Sequence, residues 1–419
     1  MRYAVANNAR TRLTATLLAT HDIIHVESTS AFPLAEHPYL VSINDEILEV
    51  KPTSSTTFAI LNRGCEGTTP TNHAIGDTVE NRFTAGTYEG IFDEIGSGGP
   101  RTVRFVVGTS TAGWTLDDCD YLCDGTDDHV EIQQALDALP DDGGEVKLLD
   151  GTYYFNDGVT LTKDRTTLRG SGNSTKIILD EAVQSVKDVV IISLPKNYCA
   201  VADIFIDGNY QWEYSVQGVY IDGSNNTITG NTCNNSYTGI YVRGSNNTIT
   251  GNTCNNNSDG IWLYSSNNNT VTGNTCNNNS DGIWLSSSSN NTVTGNTCNN
   301  NSTGIRLYSS SNNTVTGNTC NSNYDGIFVW GSNNTITGNT CNNNNSNGIY
   351  LDSSSDNTVT GNTCIRGTGQ PSDYTSSQYT IRLEGSDNSY NLISSNNCMG
   401  KDVVIEGGTS NTSVNNKYN

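Results

Sequence analysis

Positive charge is scarce in this chain of 419 residues: 21 Lys and Arg stand against 43 Asp and Glu, for a net charge of −22 and a pI near 4.4. Such a field repels phosphate backbones and anionic lipid, so nucleic acid is excluded as a partner and acidity serves solubility. Long apolar runs are also missing. No stretch approaches the ~18 consecutive apolar residues that span a bilayer, which excludes membrane insertion. The start, Met1 to Asn8, lacks the apolar segment of a signal peptide, so export by the standard route is not expected. Hydrophobic residues make up only 34% and charged residues 15%, which fits neither a disordered polyelectrolyte nor a helix-rich enzyme. The polar bulk of Gly, Asn, Ser and Thr must be structured by repetition.

At this length more than one structural unit is expected. Residues 1–95 alternate short β-prone runs (Ile23 to Val26, Tyr39 to Ile43, Ile47 to Val50, Phe58 to Leu61) with turn-forming clusters, the pattern of a small all-β module. Residues 96–104, opening with Gly96-Ser97-Gly98-Gly99-Pro100, read as a linker. In residues 105–145, Val130, Ile132, Ala135, Leu136 and Leu139 follow Asp127 and Asp128 at helical spacing, predicting one amphipathic helix capped by those aspartates. Residues 146–400 carry the repeat, and 401–419 are expected to form a terminal strand or tail.

The repeat is plainest in Asn269-Thr270-Val271-Thr272-Gly273-Asn274-Thr275-Cys276, followed by Asp281-Gly282-Ile283-Trp284-Leu285. Cysteines recur at 233, 254, 276, 298, 320, 341 and 364, steps of 21 to 23 residues. A spacing of this kind follows coil geometry and not disulfide pairing, so the thiols are read as reduced core residues. Tandem coils of this length predict an all-β, right-handed parallel β-helix, with the amphipathic helix plugging its open end and the small β module ahead of it. Strands of period two turn Ile283, Leu285, Val271 and Cys276 inward. Asparagine fills the bends because it tolerates left-handed backbone angles and can ladder up and down the stack.

If Ile283 and Leu285 face the core, the residues between and after them face solvent. The between column reads Tyr220, Tyr241, Trp262, Trp284, Arg306, Phe328, Tyr350 and Arg382; the following one reads Asp222, Arg243, Tyr264, Ser286, Tyr308, Trp330, Asp352 and Glu384. A strip of aromatics and charges several coils long suits an extended glycan, contact with identical neighbours in an oligomer, or β-propensity alone. Ile365 to Thr380 is a long excursion expected beside Asp352, Arg382 and Glu384. On adjacent coils, Asp352 and Glu384 would approach ~5 Å, a carboxylate spacing suited to retaining glycoside hydrolysis. Asp259, Asp281 and Asp325 precede the repeated Gly, but Thr238, Thr303 and Asn347 share that slot, so turn chemistry is preferred to calcium. Cys119 and Cys123 lack a partner pair and the five His do not cluster, so no metal and no cofactor is expected.

The segment from Gly125-Thr126-Asp127-Asp128 through Gly143-Gly144-Glu145-Val146 to Leu149-Asp150-Gly151-Thr152-Tyr153 resembles the start of pectate-lyase-like β-helix domains in bacteriophage tail spikes and fibres. The Asn-Thr-Ile/Val-Thr-Gly-Asn-Thr and Gly-Ile-x-Leu repeats also resemble the periplasmic copper-processing β-helix family. Phe32-Pro33, Asn62-Arg63-Gly64-Cys65-Glu66-Gly67-Thr68 and Asn81-Arg82-Phe83-Thr84-Ala85 are similar to small modules at the head of phage tail-fibre proteins. The phage resemblance implies a homotrimeric virion tail appendage, assembled in the host cytoplasm, whose N-terminal module docks to a tail or baseplate protein. Its β-helix would then face host-surface polysaccharide as a receptor-binding surface. A polysaccharide depolymerase on the same scaffold, hydrolase or lyase, and a non-catalytic surface adhesin are the alternatives.

Overall fold

The computed structural model describes residues 9–30, 32, 38–80, 103–180, 188–209 and 215–418. The chain divides into two compact units, Met1–Arg101 and Thr102–Asn419. The expected linker at 96–104 falls almost wholly outside the described residues, as does the Asn81 to Ala85 motif.

In the first unit a six-stranded antiparallel sheet runs in the order Arg10–Arg12, Thr78–Glu80, Tyr39–Ile43, Glu46–Ser54, Thr57–Asn62, Ile23–His25. Its core gathers Ile24, Phe32, Tyr39, Val41, Leu48, Val50, Phe58 and Val79, with Phe32 and Phe58 meeting edge to face at 5.1 Å. Among the described residues, Glu46 is its most deeply buried carboxylate. Burial alone would push the Glu46 carboxyl up, but Arg63 (Nη2 at 2.6 Å), the Thr71 amide and His73 (Nε2 at 2.7 Å) all bond it and hold it down at about 2.

The second unit is a solenoid of two long parallel sheets, of 16 and 11 strands. It begins at Val103–Thr109, which pairs in parallel with Gly144–Leu148, and its coils continue to the end: Val404–Glu406 pairs with Tyr379–Glu384, and Thr412–Val414 with Leu392–Ser394. Residues 401–418 are thus one more coil of the same helix. The coils of the array place like apolar residues in register, as in Ile261, Ile283, Ile305 and Ile327, or Val271, Val293, Val315 and Ile336. These side chains and the cysteine column, which extends past the seven spaced thiols to Cys398, are fully buried in one continuous apolar core.

The helix His129–Ala138 closes the open end and buries Ile132, Ala135 and Leu136. Two details differ from the sequence pattern. Val130 is exposed, because only the stripe spaced at three and four residues from Ile132 meets the core. Asp128 makes no side-chain cap; its carboxylate accepts the amides of Gly125 and Tyr154 at 2.8 Å each and ties the turn before the helix to the first long coil.

Asparagine holds two jobs at adjacent positions. Asn268, Asn290 and Asn312 sit at φ near +58°, the left-handed bend conformation, and are exposed. The next residues, Asn269, Asn291 and Asn313, are buried and bond coil to coil: the Asn269 amide donates to Asn291 Oδ1 at 2.8 Å, and Asn291 donates to Asn313 Oδ1 at 2.9 Å. A parallel ladder runs through Asn252, Asn274, Asn296, Asn318 and Asn339. Without it, these inward polar groups at the corners would be unpaired in the core, at ~1–3 kcal/mol each.

Candidate functional site

The outer face of the 11-stranded sheet carries the aromatic strip, and its two columns behave differently. The between column is in register from Tyr220 through Tyr241, Trp262, Trp284, Arg306, Phe328 and Tyr350 to Arg382. Coil spacing brings the rings into contact with one another. Tyr241 stacks on Trp262 at 4.6 Å, and Trp262 on Trp284 at 4.6 Å with the planes 4° apart. Arg306 continues the stack, its guanidinium 5.9 Å from Trp284 and 5.8 Å from Phe328. The ring faces are therefore covered, only edges reach the surface, and both indole N–H groups are buried. This column is a half-buried π-stack, contributing to the solenoid as cross-strand aromatic pairs do.

The following column is the more exposed of the two. Tyr264 (38% exposed), Tyr308 (39%) and Trp330 (36%) stand out from the sheet, with Ser286 recessed between the two tyrosines. Trp330 meets Tyr308 edge-on at 4.2 Å, an arrangement that leaves ring surface open, and Arg243 lies 6.0 Å over Tyr264. A ledge of exposed rings flanked by charge can stack on sugar faces and hydrogen-bond their hydroxyls.

Asp352 and Glu384 are register partners on neighbouring strands, opposite each other in the same column. Glu384 accepts the Tyr350 hydroxyl at 2.7 Å and pairs with Arg382 at 3.1 Å; Arg382 also holds Glu406 at 2.6 Å. The excursion 365–378 joins the other end of the strand Tyr379–Glu384, ~16 Å from Glu384 at 3.3 Å per residue. It is tied down there by Arg366 to the Asn344 carbonyl, by the Tyr374 hydroxyl to the Met399 carbonyl, and by Lys401. The expected meeting of excursion and carboxylates does not occur, because the extra residues enter at the corner after Cys364 and not at the corner beyond Glu384.

The slot before the repeated Gly lies on the strand and not in a turn, and it is buried at Thr238, Asp259, Asp281, Thr303 and Asn347 and partly buried at Asp325. Asp259 and Asp281 are register partners beneath the aromatic stack, and Arg306 reaches back to Asp281 at 3.2 Å and to the Thr303 hydroxyl. Burial, and then the neighbouring Asp281 charge, push the Asp259 carboxyl up to about 7. The folded state thus keeps a proton that the unfolded chain loses near pH 4, so Asp259 contributes full stability below that pH and loses it as pH rises to about 7. Thermal melts of Asp259→Asn are expected to show a smaller fall in Tm between pH 4 and 7 than the parent chain. Identical slopes would place the protonated group elsewhere. Thr238 and Asn347 already fill this slot with neutral groups, so the amide fits.

Together, the stacked in-register coils, the helix plug and the exposed ledge define a right-handed parallel β-helix with a surface-presenting face. The family described as "Periplasmic copper-binding protein (NosD)" matches residues 162–332 and again 296–419, well over half of the chain, and the chain belongs to that family. No curated protein matches it in sequence. Among solved structures, it is similar to the Dettilon tailspike protein gp208 (18% identity, TM-score 0.56), covering 67% of this chain and 66%, just under two thirds, of that one. It is similar to ORF18 of Geobacillus virus E2 (16% identity, TM-score 0.53; 82% and 69% covered). It also resembles the hyperthermoactive exopolygalacturonase of Thermotoga maritima (13% identity, TM-score 0.56; 69% and 87% covered). At these identities the likeness is one of fold.

Copper, named in the family's description, does not fit the donors present. The matched residues contain no histidine. Their sulfur donors are the free thiols Cys199 to Cys398, all buried, and Met399. Burial pushes the thiols of Cys276 and Cys341 far above their ordinary range. Copper needs a path to its ligands, and a column of thiols enclosed in the core supplies none. Outside the repeat, Cys123, Asp128 and Glu131 are the one potential metal-holding group among the described residues, and there the Asp128 carboxylate is already spent on two amides. Among the described residues no helix is long and apolar enough to cross a membrane.

Proposed function

We propose that this chain is the glycan-contacting shaft of a virion tail appendage, holding an extended host-surface polysaccharide along the ledge of Arg243, Tyr264, Tyr308 and Trp330. The observation that carries the reading is the division of labour between columns: Trp262 and Trp284 cover each other, whereas the ledge rings Tyr264, Tyr308 and Trp330 stand exposed. A separate N-terminal unit ahead of the β-helix, and the shared fold with the Dettilon tailspike protein, support a tail-docking module at the head. In this reading the protein acts as a homotrimer and needs no cofactor.

Binding of host-surface polysaccharide by calorimetry tests the idea. The double variant Tyr308→Ala and Trp330→Ala is expected to lose about tenfold or more in affinity, each stacked ring being worth ~1 kcal/mol. Unchanged affinity would remove the ledge from consideration. Light scattering on the same variant separates the competing use of this surface, since a trimer that dissociates makes the ledge an interface between copies.

Depolymerase activity is the second reading, and the face-to-face register of Asp352 and Glu384 supports it. With host polysaccharide, it predicts oligosaccharide release that Asp352→Asn with Glu384→Gln abolishes. Cleavage surviving in that double variant excludes the pair, and no release by the parent chain leaves binding alone.

A further inference from the structure

A second cleft lies far from the ledge, where the first long coil meets the turn before the helix plug. It has a volume of about 280 Å³ and is lined by Gly125, Thr126, Asp127, Tyr154, Asn156 and Asp180, with Phe155 at its floor. We propose that this cleft binds a single neutral or amino sugar ring, such as the end of a glycan chain, independently of the ledge.

Size limits the ligand first. Small-molecule sites start at about 300 Å³, so this one takes one ring and not an oligosaccharide. Its walls are fixed in advance: the buried Asp128 carboxylate accepts the amides of Gly125 on one wall and Tyr154 on the other, and the Asp128 amide donates to the Tyr154 carbonyl at 2.9 Å. The third wall is held by the Asp180 amide, which donates to the Phe155 carbonyl at 2.8 Å. Gly125, at φ +91°, holds a conformation that L side chains rarely adopt, and a Cβ there would crowd Thr111 Cγ2 at 2.6 Å. A site clamped in this way costs little ordering on binding.

The chemistry of the lining selects the ligand class. The Tyr154 ring is 44% exposed and offers a face for sugar C–H groups. The Thr126 hydroxyl, the Asp127 carboxylate and the Asn156 carboxamide make no hydrogen bond among the described residues, so donors and acceptors for ring hydroxyls are unspent. The Asp127 carboxylate on the lining repels a uronate and favours a neutral or protonated amino sugar.

Saturation-transfer NMR on the full chain tests this with the methyl glycosides of glucose, galactose, N-acetylglucosamine, glucosamine and glucuronic acid. Signal is expected from at least one of the first four and is expected to be absent from the glucuronide. Tyr154→Ala should abolish it and Asn156→Ala weaken it about tenfold, the worth of one lost hydrogen-bonding side chain. Both positions lie at the surface of the cleft, and matching thermal melts show that the variants keep the fold. Tyr308→Ala with Trp330→Ala should leave the signal intact, which separates this site from the ledge. Silence from all five sugars, or a signal indifferent to both cleft variants, overturns the proposal.

Discussion

Gly282→Ala is expected to unfold the middle of the solenoid. Gly282 faces inward just before Ile283, and a Cβ there would lie 2.5 Å from the Gly304 carbonyl oxygen of the next coil and 3.0 Å from Cys298 Cβ. The first obstacle is backbone, held by the inter-strand bonds of both coils, so relief requires the two strands to part. Overpacking of side chains alone costs ~1–3 kcal/mol, and a clash with the ladder itself exceeds that range. Because each coil touches only its neighbours, the damage should spread locally. Hydrogen exchange is expected to accelerate in the strands Asp281–Ser286 and Thr303–Tyr308 before the helix plug is affected. Gly273→Asn is the control: Gly273 sits at φ +64° with nothing within 4 Å of its Cβ direction, and asparagine tolerates that conformation. Equal protection in the two variants would sink the argument.

Asn296→Ala ranks second, at ~3 kcal/mol of stability. Its carboxamide oxygen accepts the Asn274 amide at 2.9 Å and the Asn274 side chain at 3.0 Å, while its own nitrogen donates to the Val271 carbonyl and to Asn318 Oδ1. Alanine leaves these partners buried without water to replace the lost bonds. The neighbouring ladder predicts the contrast: Asn268, exposed and left-handed, should tolerate glycine at a cost within a few tenths of a kcal/mol, since glycine adopts that backbone freely. Urea unfolding of both variants checks the pair, and similar midpoints would mean that the buried amides are not what fastens coil to coil.

The two roles of asparagine show where sequence reading stops. In Asn268-Asn269-Thr270 the letters are identical, and only the bend angle decides that the first amide meets water and the second the next coil. The glycan strip is a similar case. Both columns could be read from the period of two, but Trp262 and Trp284 are removed as sugar platforms by stacking on each other, a contact between residues 22 positions apart. The slot aspartates read as turn residues because Asp-Gly is turn-like in isolation; parallel pairing of Asp259 with Asp281 draws them onto the strand and under the rings. In the first unit, the sequence runs at Tyr39 to Ile43 and Phe58 to Leu61 predicted strands, while the buried Glu46, Arg63 and His73 trio joins residues far apart and carries no local pattern.

By itself, then, the sequence determined the coil: its length, its inward Ile, Val and Cys, its bends and the outward position of each aromatic column. Those features are local, set by strand period and bend conformation within one repeat. Tertiary structure alone decided which outward rings keep an open face, which carboxylates are buried, and how the Asp128 bridge builds a cleft. Each of these depends on what a neighbouring coil puts within ~5 Å, the spacing between strands in a sheet, and that neighbour is fixed only when the coils stack.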